Sequence, residues 1–163
     1  MMSKRVKLEF EQRPYRRGVG IVLFNEANRV FVAQRLDNPG PAWQMPQGGI
    51  DKDEKPIDAA WRELHEETGI SSAKLLEESP DWLRYDLPEA LAGQLWKGRY
   101  RGQEQMWYAF RFTGKETEIR IDGPHPEFSA WKWVPFAEVP KLIVPFKRSL
   151  YERVYETFRH LAD

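Results

Sequence analysis

The sequence predicts a mixed-sheet fold with two helices, of α+β or α/β/α layering, on three observations. Several short apolar or alternating runs read as strands, two longer stretches carry a helical apolar period, and nothing follows a βαβ rhythm. The 163 residues suffice for one domain with its own core, taken as residues 1–163, with the charged and irregular residues 1–14 as a tail or edge segment.

The elements follow in order. Gly18–Phe24 (GVGIVLF) is apolar and β-branched, as a buried strand should be, and polar Asn25–Asn28 separates it from a second strand at Arg29–Arg35, which predicts a hairpin. The Pro- and Gly-rich stretch LDNPGPAWQMPQGG, ending at Gly49, reads as mostly loop. Residues 56–68 carry the clearest helix: Pro56 suits the first turn, Gly69 suits the stop, and Ile57, Ala60, Trp61 and Leu64 share one face. Further strands are expected at Ala73–Glu78, Trp82–Leu87, Gln105–Thr113, Glu118–Ile121 and Ser129–Val134, with a basic loop at Leu91–Gly102. An amphipathic helix from about Phe146 to Leu161, with Leu150, Val154, Phe158 and Leu161 in one stripe, closes the chain.

Composition narrows the function. Lys plus Arg equals Asp plus Glu at 25 each, a balance that argues against coating nucleic acid by bulk charge, and no DNA partner is expected. With no cysteine and three histidines of no ligand-like spacing (His65, His125, His160), a bound metal would be held by oxygen. No run reaches membrane-spanning length, so no membrane partner is expected and a cytoplasmic location is the default.

The chemistry concentrates on the central helix. Glu63, Glu66 and Glu67 stand at i, i+3 and i+4, so three carboxylates leave one side of it and repel one another. A hard divalent cation such as Mg²⁺ would offset that repulsion. Alone, such a triplet reads first as a solvated acidic face. The Gly48–Gly49 pair upstream adds a backbone that can approach a metal closely.

From Gly48 to Ile70 the sequence GGIDKDEKPIDAAWRELHEETGI resembles the Nudix box, G-x5-E-x7-R-E-U-x-E-E-x-G-U with U apolar, and fills every defined position. The resemblance implies a Nudix α/β/α sandwich and phosphoanhydride hydrolysis with Mg²⁺, or Mn²⁺ in its place. It implies catalytic and metal-binding roles for Glu63, Glu66 and Glu67, a backbone ligand at Gly48, and a salt bridge between Glu54 and Arg62 that ties the loop to the helix. Leu64, Gly69 and Ile70 fall on structural positions of the box.

Segments from Tyr15 to Phe158, among them YRRGVGIVLF, AWQMPQGGID, GQEQMWYAFRF, PEFSAWKWV and PFKRSLYERVYETF, resemble the branch of RNA pyrophosphohydrolases and diadenosine polyphosphate hydrolases. That resemblance implies a 5′-triphosphorylated RNA substrate or, alternatively, a dinucleoside polyphosphate. An inactive nucleotide-binding module is a third reading, set aside because every box carboxylate is present. Glu127 resembles a further metal-binding carboxylate, and Arg16 and Arg35 resemble phosphate-contacting residues. Phe146 resembles an aromatic that stacks on a purine, and reads equally as the first core residue of the last helix. Arg84, Tyr85 and Lys147 are further candidates for phosphate or RNA contacts, and Trp43 could stack on a base or pack. Lys97, Arg99 and Arg101 could meet an RNA backbone or simply be solvated. Two departures stand out: Ala42 occupies a position where such relatives often carry serine, and Asp37–Ala42 lengthens a loop beside the box.

Overall fold

The structure, a computed structural model, describes residues 9–37 and 40–163. Its strands are β1 (Tyr15–Phe24), β2 (Arg29–Arg35), β3 (Gln47–Gly49), β4 (Ala73–Glu78), β5 (Leu83–Asp86), β6 (Gly102–Phe112) and β7 (Phe128–Pro135). Its helices are α1 (Pro56–Thr68), α2 (Glu89–Ala92), α3 (Val139–Leu142) and α4 (Arg148–Phe158), joined by several single turns of 3₁₀-helix.

The long strands β1 and β6 pair in parallel at the centre, from Tyr15↔Gly102 to Phe24↔Arg111. Each then shares its outer edge between two shorter strands. Beyond β6, β4 and β5 pair antiparallel with its two halves. Beyond β1, β2 pairs at Phe24↔Val30 while β3 takes Gly18–Gly20, and β7 continues outward from β2. Since β2 leaves β1 after one turn of the ladder, β3 fills the opening and carries the Gly48–Gly49 backbone to the sheet centre.

The period-2 alternation of β1 supplies both layers. Val19, Ile21 and Leu23 bury against α1 with Ala59, Ala60 and Leu64, whereas Val22 and Phe24 bury with Leu150, Val154 and Phe158 of α4. The mixed α/β/α sandwich expected from sequence is therefore the fold. The β1–β2 hairpin is present too, its turn held by the Asn25 side chain, which accepts from the N–H groups of Ala27 and Arg29, both at 3.0 Å. Helix α1 starts at Pro56 without a side-chain cap and ends where Gly69 adopts φ 74°, the left-handed region glycine enters freely.

Three expectations need correction. Glu118–Ile121 is not a strand: Glu116–Glu118 is a 3₁₀ turn, and the Arg120 N–H donates to the Thr68 carbonyl at 2.7 Å, so the segment caps α1 while Ile119 plugs the core. Leu91–Gly102 is not plain loop: α2 runs into a 3₁₀ turn at Leu95–Gly98, inside which Trp96 and Lys97 both hold positive φ. The last helix is shorter than read, because Pro145–Lys147 and Arg159–Leu161 are 3₁₀ turns at its ends. Within residues 1–14, Phe10–Gln12 forms a 3₁₀ turn against which the Arg101 guanidinium rests, 5.5 Å from the Phe10 ring. Asn38 and Pro39 of the lengthened loop lie outside the described residues. No helix among the described residues is long and apolar enough to cross a membrane.

Candidate functional site

A cavity of about 640 Å³ opens where β3, α1 and the ends of β2, β5 and β6 meet. One end is acidic. Gly48, Glu63 and Glu67 line it together with Glu127, which arrives from the segment just before β7. Gly48 lies directly against the Glu63 carboxyl group, which would have to move to admit a Cβ there.

Arg62 organises this end. Its guanidinium donates to both oxygens of Glu54 at 2.9 Å, to the Gly49 carbonyl at 2.9 Å, to Glu63 at 2.7 Å and to Glu66 at 3.1 Å. Glu54 also accepts the Asp51 N–H at 3.0 Å, so the loop between β3 and α1 is tied at both ends to one cation. Its carboxyl is held below the usual range, first by the Arg62 hydrogen bonds.

The other carboxylates are pushed the opposite way. Burial raises Glu63, with Arg62 opposing. Glu67, 8% exposed, is raised well above the usual range by burial first and then by the charges of Glu63 and Glu127, against which the Gln47 N–H at 3.2 Å and Arg35 act only partly. Glu66 points away, with its side chain 57% exposed.

Among the described residues, no three His, Cys, Asp or Glu side chains form a ready-made metal site. Arg62 occupies Glu63 and Glu66, and the Arg35 guanidinium stands 3.8 Å from Glu127. The donor chemistry nonetheless suits a hard divalent cation: the candidate ligands are oxygens, and the Glu67 carboxyl is raised by burial and then by two neighbouring carboxylates.

Cationic and aromatic side chains line the rest of the cavity, beside the carboxylates. Arg35 leaves β2 at a bulge and makes a bidentate pair with Asp37, 2.7 Å on each arm, while the Leu36 N–H bonds the Glu127 carbonyl at 2.9 Å. The Arg16 guanidinium lies 5.0 Å from the Trp96 ring centre and packs on Gly49. Lys147, whose ammonium is pushed down to about 8 by burial and then by Arg35, sits 5.2 Å from the Tyr85 ring. Phe146 faces Tyr85 at 6.2 Å, the two rings inclined by 37°.

Sequence reasoning proposed most of this set, and the structure brings together Gly48, Glu63, Glu67, Glu127, Arg16, Arg35, Tyr85, Phe146 and Lys147. It does not bring in Glu66, Trp43 or Arg84. Trp43 packs on the core under the Lys132 ammonium, 4.2 Å from the ring centre. Arg84 stacks on Tyr15 at 4.7 Å and pairs with Glu104 at 3.0 Å, on the other face of β5 from Tyr85. Trp107 is buried and donates its indole N–H to Gln105. Of the basic loop residues, Arg101 pairs with Asp86 at 2.8 Å. The lining residues that sequence reasoning did not single out are Asp37, Gln44, Gln47, Leu87, Leu91, Leu95, Trp96, Gln103 and Val144. Of these, Gln44, Gln47 and Gln103 lie in the segments AWQMPQGGID and GQEQMWYAFRF that carry the resemblance, without being singled out there.

Comparison with known proteins agrees with this architecture. The NUDIX domain family model matches residues 14–154. The RNA pyrophosphohydrolase of Rhodospirillum rubrum is 59% identical over 141 residues, spanning 86% of this chain and 85% of that protein. That of Brucella ovis is 53% identical over 163 residues, spanning 93% and 92%. Among solved structures, the E. coli dihydroneopterin triphosphate pyrophosphohydrolase superposes with TM-score 0.67 at 21% identity, covering 86% of this chain and 97% of that one. A C. elegans Ap4A hydrolase gives 0.63 at 19% identity, covering 89% and 98%. At those identities the likeness speaks for the fold alone. Nudix hydrolases generally use divalent metals such as Mg²⁺. A complete box on α1, a family match over most of the length and relatives above 50% identity together place this chain in the Nudix hydrolase family.

Proposed function

We propose that this chain is a Mg²⁺-dependent RNA 5′-pyrophosphohydrolase, acting as one Nudix domain in the cytoplasm and releasing pyrophosphate from 5′-triphosphorylated RNA. The observation that carries the reading is the identity of 53–59% to RNA pyrophosphohydrolases over most of both chains. The cavity supports it, with carboxylates beside cations and the Tyr85 and Phe146 rings.

Glu63, Glu67 and Glu127 would hold the metal, with the Gly48 carbonyl beside them and Glu66 exchanging its Arg62 bond for that role. A bound divalent cation supplies neutralisation of the phosphate charge. Arg16, Arg35 and Lys147 hold the remaining phosphate oxygens, with Arg offering a two-pronged donor. Tyr85 and Phe146 hold the first base by stacking, which tolerates any base. Water adds to phosphorus, the α–β phosphoanhydride bond breaks, pyrophosphate leaves, and the water proton passes to a box carboxylate within hydrogen-bond reach, for which Glu63 and Glu66 are the candidates. Arg62 holds the loop and helix in register throughout.

A second reading, asymmetric cleavage of a dinucleoside polyphosphate, is favoured by one observation. The cavity has another apolar and aromatic wall, Leu91, Leu95 and Trp96, which a second nucleoside could occupy. Product analysis tests the main reading: with Mg²⁺, a 5′-triphosphorylated oligonucleotide should yield pyrophosphate and a 5′-monophosphate end. An oligonucleotide left intact would overturn it.

A further inference from the structure

We infer that Gln44 is a substrate-contacting residue whose side-chain amide donates a hydrogen bond to an acceptor atom on the 5′-terminal nucleotide. The inference rests on the proposed function and adds a specificity determinant to the same cavity. Gln44 lines that cavity, is 6% exposed, and its Nε2 has no hydrogen-bond partner.

Buried donors are almost always paired, because an N–H taken from water without a new acceptor loses free energy. The neighbouring glutamines follow that rule. The Gln105 amide donates to both Gln47 and Gln103 and accepts from the Trp107 indole. Gln44 is the exception, and loose placement does not explain it. Its N–H and carbonyl both bond Ala33, at 2.9 and 2.8 Å. On either side, the Trp43 N–H donates to the Leu142 carbonyl at 2.8 Å and the Met45 N–H to the Tyr151 hydroxyl at 3.0 Å. Three consecutive residues are pinned, and the middle one lines the cavity with its buried side-chain Nε2 unpartnered.

A neutral amide adds little to holding a polyanion already faced by Arg16, Arg35 and Lys147. Its value is discrimination: a site built around a buried donor rejects a ligand that brings no acceptor. The acceptor is a nucleobase atom or an oxygen of the ribose or phosphate, and substrates separate these.

The test is Gln44→Met, which keeps length and removes the donor, assayed with Mg²⁺ on triphosphorylated oligonucleotides that carry each base, or none, at the first position. KM should rise about tenfold with kcat within about twofold, while Tm stays level or rises because an unpartnered donor has gone. A rise in KM that persists on the abasic end assigns a ribose or phosphate oxygen; one that disappears assigns the base. An unchanged KM, or a loss of activity that tracks a fall in Tm, would overturn the inference. If the wild type cleaves only dinucleoside polyphosphates, the proposed function fails, and the same KM comparison on that substrate still decides Gln44. A second measurement needs no variant: the Gln44 side-chain amide resonance should shift when a non-hydrolysable nucleoside triphosphate analogue binds, and an unmoved resonance would contradict the contact.

Discussion

The buried Glu67 carboxylate accepts the backbone N–H of Gln47 at 3.2 Å, joining helix α1 to strand β3 at the acidic end of the cavity. One hydrogen bond is a small return for a carboxylate buried beside Glu63 and Glu127, so the folded protein holds a proton on Glu67 more tightly than the unfolded chain does. The group's contribution to stability is therefore full below the ordinary glutamate value of 4.5 and declines as pH rises from there through the raised folded value. In chelator, Glu67→Gln should melt higher than wild type, by a margin that widens as pH rises above that value, while losing turnover. Mg²⁺ should narrow the margin by binding only the folded wild type. Melting curves against pH, with and without Mg²⁺, check this; a variant that melts lower at neutral pH in chelator would contradict it.

Arg62 links the loop, the box carboxylates and the Gly49 carbonyl through one guanidinium. Arg62→Ala leaves Glu54, whose side chain is only 16% exposed, without its cation. Stability should fall by about 2 kcal/mol, read from denaturant midpoints, and activity should fall as well because the Gly48–Gly49 segment loses its anchor.

Phe146 is partly buried, with one side on the core and one on the cavity. Both sequence readings of this residue therefore remain in play, and kinetics separates them. Phe146→Ala should raise KM at least about tenfold, as expected for losing a base-stacking ring. An unchanged KM with a lower melting temperature would leave only the packing role.

Arg84 serves as the contrast. Its exposed side chain pairs with Glu104 away from the cavity, so Arg84→Ala should leave kcat/KM unchanged and alter stability by less than about 1 kcal/mol. A large rise in KM for RNA would show that substrate reaches beyond the cavity across β5.

The parts of the site legible in sequence are those whose chemistry is local. Carboxylates at i, i+3 and i+4 marked one face of α1, and the resemblance to the Nudix box singled out Gly48, Glu63 and Glu67. Side-chain direction was harder to read. Arg84 and Tyr85 are adjacent on a strand and point to opposite faces, and only Tyr85 lines the cavity. Trp43 and Gln44 are adjacent in an extended segment, and there the conspicuous aromatic packs on the core while the glutamine lines the cavity. Trp96 was missed for another reason: the positive φ of Trp96 and Lys97 folds a segment read as loop back over Arg16, a conformation that non-glycine residues rarely announce.

The most direct test of the central claim compares kcat/KM, with Mg²⁺, for a 5′-triphosphorylated RNA oligonucleotide and for diadenosine tetraphosphate, using wild type and Glu67→Gln. A clear preference for RNA in the wild type, with pyrophosphate as product and both activities lost in the variant, is the predicted result. A preference for the dinucleotide would make RNA a side activity, and near-normal turnover by Glu67→Gln would contradict the assignment of the site itself.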